Sequence, residues 1–531
     1  MGEWIEKFDK THPSHINPDE SVKLQYGTAG FRTKAIVLDY VFYRMGLLAS
    51  LRSKFKGGQS VGLMITASHN PEHDNGIKLI DPSGEMLEQS WEVIATKLVQ
   101  SSNDDVKKYV ENKLKEFDGE KLPSTVIIGY DTRPSSKPLL QAALDGLSVF
   151  DTNVINYNLV TTPMLHFFVY NHNVNSRVFE ESEYFTHFGN AYLSYQKFLL
   201  TDNKSYSQDI YFDGANGVGG VKIKELQKII ESKLKIEVYN QDVTTQGKLN
   251  FQCGADFAKT KKIVPTGVNI KNLNNKYLSV DGDADRIIYW YPNEDNTIHL
   301  LDGDRIAVLF AMYINELIAR CNLKDKVNIK VIQTAYTNGN CTNYIKNTLN
   351  IDVIFTSTGV KHLHHEALKY DVGVYFEANG HGTVLFSEKL KSLLKQINTE
   401  ESKQFLNFIQ MTNETVGDSF SIMLLTETVL QAKDLSLQQW YALYSDLANK
   451  LSTATVSNRN LIKTINEDTE IVEPLGMQDS INKSVAKFNN ARSFVRPSGT
   501  EDIVRIYVEA ETSEDVNALT EEIQQVVKTY L

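Results

Sequence analysis

Strand-length apolar runs that stop at short polar turns, with segments of helical period between them, recur along this chain and restrict it to an alternating α/β architecture. Val61, Leu63 and Ile65 lead into Thr66-Ala67-Ser68-His69-Asn70-Pro71, and Val126-Ile127-Ile128-Gly129-Tyr130 leads into Asp131-Thr132-Arg133-Pro134-Ser135. Ile210-Tyr211-Phe212 runs into the glycine-rich Asp213-Gly214-Ala215-Asn216-Gly217-Val218-Gly219-Gly220. Later, Ile351–Phe355 precedes Thr356-Ser357-Thr358-Gly359-Val360-Lys361-His362, and alternating Val372, Val374 and Phe376 precede Glu377-Ala378-Asn379-Gly380-His381-Gly382. Strands joined through helices pair mostly in parallel. At roughly 150 residues per domain, 531 residues make three to four of them. Residues 171–208, rich in Asn, Ser, Tyr and Glu with weak periodicity, read as loop and domain boundary.

The balance of charge narrows the class of ligand. A formal net charge of −11 argues against a nucleic-acid binder, and an anionic substrate would need a local cluster of cations or a metal. Cys253, Cys321 and Cys341 show no paired spacing, which points to a reducing compartment. Met1-Gly2-Glu3-Trp4-Ile5-Glu6-Lys7 is charged where a signal peptide is apolar, and Glu6 stands where a myristoylation motif wants Ser or Thr. No run approaches the roughly 18 apolar residues of a membrane span. A cytoplasmic protein with no membrane partner is expected.

Five short stretches carry chemistry. Ser68 sits on a turn that Pro71 prevents from becoming helix, so its hydroxyl can serve as a nucleophile or phosphate carrier. Arg32, in the Gly-bounded Tyr26-Gly27-Thr28-Ala29-Gly30-Phe31-Arg32, offers a planar fork to a phosphate. Asn75-Gly76 is a turn signal that would fold the chain back and bring Lys78 towards Ser68. Asp281-Gly282-Asp283-Ala284-Asp285-Arg286 lies between core-like strands, and in an extended segment its alternate carboxylates would face one point. Oxygen ligands of this kind indicate a hard cation, Mg²⁺ first. An EF-hand is excluded, because Arg286 takes the glycine position and Pro292 the bidentate glutamate position.

The same alternation puts Glu377, Asn379 and His381 on one rim, a set suited to a polyhydroxylated ligand. Arg496-Pro497-Ser498-Gly499-Thr500 with Arg505 reads either as an anion-binding nest or as a hairpin turn with two surface arginines. Thr512-x-x-Asp515 is a capping signal for a closing helix. The glycines of residues 214–220 match neither a dinucleotide fingerprint nor a P-loop.

This set of motifs, spread over the whole chain, resembles the α-D-phosphohexomutase superfamily. The carrying residues are Thr66-Ala67-Ser68-His69-Asn70-Pro71, Asp281-Gly282-Asp283-Ala284-Asp285-Arg286, Glu377-Ala378-Asn379-Gly380-His381-Gly382 and Arg496-Pro497-Ser498-Gly499-Thr500. Gly129-Tyr130-Asp131-Thr132-Arg133 follows Ser68 here, whereas in phosphogluco- and phosphomannomutases it precedes the serine loop. Asn379 stands where those relatives carry serine. Both features are similar to the acetylglucosamine branch.

The resemblance implies three consecutive mixed/parallel-sheet α/β domains plus a smaller C-terminal α+β domain around a central cleft. Their expected limits are 1–205 (serine loop), 206–298 (metal), 299–450 (sugar) and 451–531 (distal phosphate). It implies a phosphoserine at Ser68, Mg²⁺ on Ser68, Asp281, Asp283 and Asp285, and Lys78 as general base if its pKa is lowered. His69, Arg32 and Arg286 would steady the transferring phosphoryl group. Glu377, Asn379 and His381 would hold the sugar, and Arg496, Ser498, Gly499, Thr500 and Arg505 its far phosphate, with Lys361 and His362 as further contacts.

The implied reaction interconverts N-acetylglucosamine 6-phosphate and 1-phosphate through a sugar 1,6-bisphosphate, which also serves as activator. The partner is thus a small sugar phosphate, with no nucleic acid, membrane or obligate protein partner implied. Glucose or mannose phosphates are the nearest alternative substrates. A serine hydrolase using Ser68 and His69, or a non-catalytic sugar-phosphate binder, are alternatives of other classes.

Overall fold

A computed structural model describes residues 3–18, 21–119, 121–199, 202–497 and 503–531. Gly2 and the turn Ser498-Gly499-Thr500 therefore lie outside the described residues. The chain forms two compact units: residues 1–302 with 379–383 and 403–437, and residues 303–378 with 384–402 and 438–531.

The first unit opens with strands β1 (Phe31–Lys34), β2 (Ser60–Ile65), β3 (Asp74–Ile80), β4 (Thr125–Tyr130) and β5 (Asn153–Leu159), in the order β1-β3-β2-β4-β5. β2, β4 and β5 run parallel, and β3 is antiparallel to both β2 and β1. Helices Asp39–Phe55 and Thr162–Asn175 both pack on β2, so every residue from Ser60 to Ile65 is buried. That double burial explains why the strand reads as a continuous apolar run and not as an alternation. A second sheet follows, β6 (Asp209–Asp213), β7 (Lys235–Tyr239), β8 (Tyr277–Val280), β9 (Ile287–Pro292) and β10 (Ile298–Leu301), in the order β10-β9-β8-β6-β7. β7, β6 and β8 are parallel, and β9 and β10 reverse.

The stretch read as a loop over 171–208 is in large part helical. Helix Glu181–Tyr195 buries Tyr184, Phe185, Phe188, Ala191, Tyr192 and Tyr195 and packs on helices Val218–Ile230 and Ser419–Lys433. Its buried face keeps a helical period, but Tyr184, Tyr192 and Tyr195 put hydroxyls into it, which masks the apolar signal. Tyr184 finds a partner for its hydroxyl by donating to Asp418 Oδ2 at 2.7 Å.

Helix Ser419–Lys433 also carries Glu427, fully buried against Lys276 at the foot of β8. Tyr206 and Tyr289 donate to the same carboxylate at 3.0 and 3.2 Å. Lys276→Met leaves Glu427 charged and buried without its cation. We expect about 3–5 kcal/mol of lost stability, read as a lowered urea midpoint at unchanged slope.

In the second unit, β11 (Ile329–Gln333), β12 (Asp352–Phe355), β13 (Val372–Phe376) and β14 (Gly382–Phe386) follow the order β12-β11-β13-β14, with β12 and β13 parallel to β11. The C-terminal part holds β15 (Ala448–Thr455), the ribbon β16 (Lys463–Ile465) with β17 (Glu470–Glu473), β18 (Arg492–Pro497) and β19 (Ile503–Ala510). β15 and β18 flank β19, both antiparallel to it. Helix Ser513–Tyr530 covers them, and Thr512 caps it by accepting from Asp515 N at 3.1 Å. No described helix is long and apolar enough to cross a membrane.

Candidate active site

β2 ends at Ile65, and the chain reverses over residues 66–73 into β3. Ser68 lies in that reversal at φ +50°, a left-handed conformation that a serine adopts only when its surroundings hold it. Thr66 Oγ1 accepts from Ser68 N at 2.9 Å. Arg133, at the end of β4, does most of the holding: Nη1 donates to Pro71 O (2.6 Å) and Asp74 O (2.9 Å), and Nη2 to Ser68 O and Asn70 O (both 2.9 Å). Asp131 fixes Arg133 in turn, with Nε donating to Oδ2 at 3.0 Å. In the sequence Arg133 belongs to a polar turn and to a motif whose order marks the branch; its role is invisible there because its partners are main-chain carbonyls.

Asn75-Gly76 is not the turn its dipeptide suggests. It lies inside β3, where a Cβ on Gly76 would stand 2.5 Å from Phe31 O and 2.7 Å from Thr66 O. The expected outcome survives by another route. The register pairs Met64 with Lys78, so strand pairing carries the lysine back to the serine turn.

Asp281, Asp283 and Asp285 are buried, and they do not converge through an extended segment. The chain turns between β8 and β9 with Ala284 at φ +59°, which gathers one oxygen from each carboxylate within 4.8 Å of the others. Ser68 Oγ donates to Asp281 Oδ2 at 2.5 Å. Thr162 and Thr66 donate to Asp283 Oδ2 at 2.7 and 3.2 Å, while Asp283 Oδ1 is buried with no hydrogen-bond donor among the described residues. An oxygen-only set with an orphaned buried carboxylate oxygen fits a hard divalent cation.

Cations ring the group. Lys78 Nζ lies 3.3 Å from Asp283 and 3.2 Å from Asp285, and Arg286 Nε 3.8 Å from both Asp281 and Asp285. Burial, reinforced by Asp285 and Asp283, pushes Asp281 well above the carboxylate range. Burial also disfavours charge on Asp285, but His381 and Lys78 outweigh it and hold its pKa well below that range. For Lys78, burial pulls downward and the two aspartates pull further upward, so its protein neighbours keep it above the ordinary lysine value.

His69 behaves differently. Burial, with Arg286 and Arg32 nearby, pushes it down to about 3, and Nδ1 has no hydrogen-bond partner among the described residues. Since Ser68 Oγ donates to Asp281, the Ser–His pair is not arranged as a hydrolytic nucleophile with its base. Arg32 Nη1 donates to Asn70 Oδ1 at 3.1 Å, and Asn70 Nδ2 to Asp74 Oδ2 at 2.9 Å, so Asn70 shapes the loop.

The segment after β13 is likewise a turn, with Gly380 at φ +87°, so alternation does not align Glu377, Asn379 and His381. Asn379 Oδ1 accepts from His381 N at 2.9 Å, and His381 Nδ1 stands 3.2 Å from Asp285 Oδ1. His381 thus joins the carboxylate group, an association that nothing in the spacing of these residues signals. Glu377, Lys361, His362, Arg496 and Arg505 belong to the second unit. There Arg496 and Arg505 are direct partners across β18 and β19, and Arg496 Nη1 donates to Thr358 Oγ1 at 2.9 Å.

Comparison with known proteins finds related domains along most of the chain. The descriptions "Phosphoacetylglucosamine mutase AMG1, domain II" and "domain III" match residues 175–288 and 302–435. Domain I and the C-terminal domain of the phosphoglucomutase/phosphomannomutase group match residues 48–104 with 98–179, and 462–526. The human phosphoacetylglucosamine mutase is 43% identical, covering 97% of this chain and 95% of its own length. That of Candida albicans is 44% identical, covering 97% and 98%. An N-acetylglucosamine-phosphate mutase solved in its substrate complex superposes with a TM-score of 0.93 at 41% identity, covering 99% of both chains. The Aspergillus fumigatus enzyme in complex with GlcNAc-6P and magnesium gives 0.93 at 38% identity, covering 100% of this chain and 99% of that one. Its serine-to-alanine variant in complex with glucose 1,6-bisphosphate gives 0.91 at 37%, with the same coverage.

Proposed function

Because the chain belongs to the phosphoacetylglucosamine mutase family of the α-D-phosphohexomutase superfamily, we propose that it interconverts N-acetyl-D-glucosamine 6-phosphate and N-acetyl-D-glucosamine 1-phosphate through a phosphoserine at Ser68. The observation that carries this reading is Ser68 Oγ, 2.5 Å from Asp281 within a buried group of three aspartates. In the first half-reaction the sugar's free hydroxyl oxygen bonds to phosphorus. The P–Oγ bond breaks with its electron pair going to Ser68, and the hydroxyl proton passes to a base. The resulting 1,6-bisphosphate reorients, its other phosphoryl group returns to Ser68 Oγ, and the freed sugar oxygen regains a proton.

Asp281, Asp283 and Asp285, with a phosphate oxygen on Ser68, would hold Mg²⁺, which would supply neutralisation of charge on the transferring group. Arg32, Arg286 and neutral His69 face the same group as hydrogen-bond donors. Lys78 contributes a positive charge there, and acting as the base requires a lower pKa than its two aspartate neighbours impose. Arg496 and Arg505, direct partners across β18 and β19 with Asp468 3.7 Å from Arg496, support a distal phosphate site with Ser498, Gly499 and Thr500 by offering charge-assisted bonds to an anion. Glu377, Asn379 and His381 hold sugar hydroxyls in either orientation, and His381 also steadies Asp285.

The four-domain division at 205, 298 and 450 is part of this proposal. So are a cytoplasmic location and supply of the 1-phosphate to UDP-N-acetylglucosamine biosynthesis. The test is kcat/KM with Mg²⁺ for the phosphates of N-acetylglucosamine, glucose and mannose. A preference of roughly tenfold or more for the acetylated sugar is expected, and a preference for glucose overturns the substrate assignment.

A further inference from the structure

We infer that Asn250 is a positioning residue for the phosphoryl-carrying turn, holding the Ser68 carbonyl from the sheet that bears the aspartates. The inference rests on the reading of Ser68 as phosphoryl carrier. Asn250 Nδ2 donates to Ser68 O at 2.8 Å across a separation of 182 residues, and to Asn70 O at 3.1 Å. These are the same two carbonyls that Arg133 Nη2 holds at 2.9 Å. The turn is therefore gripped from two sides: Arg133 belongs to its own sheet, and Asn250 to the loop after β7.

Asn250 is itself fixed to the second sheet. Its N–H donates to Ala215 O at 2.9 Å, and its φ of +58° lies in the left-handed region that asparagine tolerates. Gly282 closes the junction, since a Cβ there would stand 2.6 Å from Ser68 O and 3.1 Å from Asn250 Nδ2. The Ser68 carbonyl, the Asn250 amide and the backbone between Asp281 and Asp283 are thus in direct contact. Arg133 fixes the shape of the turn, whereas Asn250, with the bonds that Thr66 and Thr162 make to Asp283, sets its spacing from the Asp281 loop. Whether Oγ and the carboxylates share one phosphate depends on that spacing. A displacement of the reacting oxygen by about 1 Å costs roughly 10²-fold in rate.

The experiment compares full-length Asn250→Gly and Asn250→Asp with the parent. Both residues tolerate a positive φ; glycine deletes the donor, and aspartate turns an acceptor onto two carbonyls. Enzyme pre-phosphorylated with glucose 1,6-bisphosphate is mixed with N-acetylglucosamine 6-phosphate in single-turnover mode, alongside steady-state kinetics and thermal melting. Asn250→Gly should still accept phosphate on Ser68 but transfer it roughly 10–100-fold more slowly, with KM changed by less than about threefold and melting nearly unchanged. Asn250→Asp should be slower still. If the aspartate variant does not fold, the glycine variant alone decides. A parental transfer rate in Asn250→Gly overturns the inference, as does a rate loss that tracks lost folded protein. If the parent itself never carries phosphate on Ser68, the underlying reading of the site fails instead.

Discussion

Ser68→Ala should abolish mutase activity, by a factor on the order of 10⁴ or more, while leaving the fold intact. The two halves of that expectation come from different atoms. The main chain of the turn is held through Ser68 N and Ser68 O, by Thr66, Arg133 and Asn250, and none of those bonds involves the hydroxyl. Alanine keeps a Cβ and the same backbone strain at φ +50°, so the turn retains its shape. What disappears is Oγ, the one atom proposed to store the phosphoryl group between half-reactions. Intact-mass measurement after incubation with glucose 1,6-bisphosphate should find a phosphorylated population in the parent and none in the variant. Residual activity above about one per cent of the parent would sink the phosphoserine mechanism.

Asp283→Asn is expected to lower kcat by roughly 10²–10³-fold and to weaken metal binding. Asp283 and Asp285 each bury an Oδ1 without a hydrogen-bond donor among the described residues, and that of Asp285 has His381 Nδ1 3.2 Å away, so Asp283 has much to gain from a cation. An amide oxygen can still accept from Thr162 and Thr66, which donate to Oδ2 at 2.7 and 3.2 Å, so local packing should survive. The amide cannot supply the missing charge, however, and with its oxygen in the Oδ2 position, beside Lys78, its N–H groups take the place of the orphaned Oδ1. Titrating activity against Mg²⁺, with metal affinity measured calorimetrically, should show a right-shifted curve that saturates at a low kcat. A variant within threefold of the parent at every metal concentration would remove Asp283 from the ligand set.

What could be read from sequence followed from how local each feature is. Asp281, Asp283 and Asp285 are legible because three carboxylates within five residues need a reason to be crowded. The geometry that unites them is a turn at Ala284, not the extended segment their spacing suggests. Lys78 was reached for the wrong reason, since β2–β3 pairing, and not an Asn75-Gly76 turn, returns it to Ser68. Arg133 and Asn250 could not be assigned, because they recognise carbonyls, which every residue possesses. Helix Glu181–Tyr195 is not legible because its buried face mixes tyrosines with apolar residues, and Tyr184 takes its hydroxyl's partner from distant Asp418. His381 joined the carboxylates only once Gly380 had turned the chain.

The first compact unit is assembled from residues 1–302, 379–383 and 403–437. Chain synthesis proceeds from the N-terminus, so Ser68 and the three aspartates emerge long before their enclosure is complete. Lys276 waits about 150 residues for Glu427, and the Ala284 carbonyl waits for Ser419 N, 3.1 Å away in the finished protein. During that interval a cluster of acidic side chains and an unpaired lysine stand in a half-built core, with an exposed sheet face open to wrong pairing. A nascent chain stalled before Ser419 therefore lacks both the donor for the Ala284 carbonyl and the carboxylate for Lys276. Truncation at the apparent border after Asp302 would yield a body lacking the helix that neutralises Lys276.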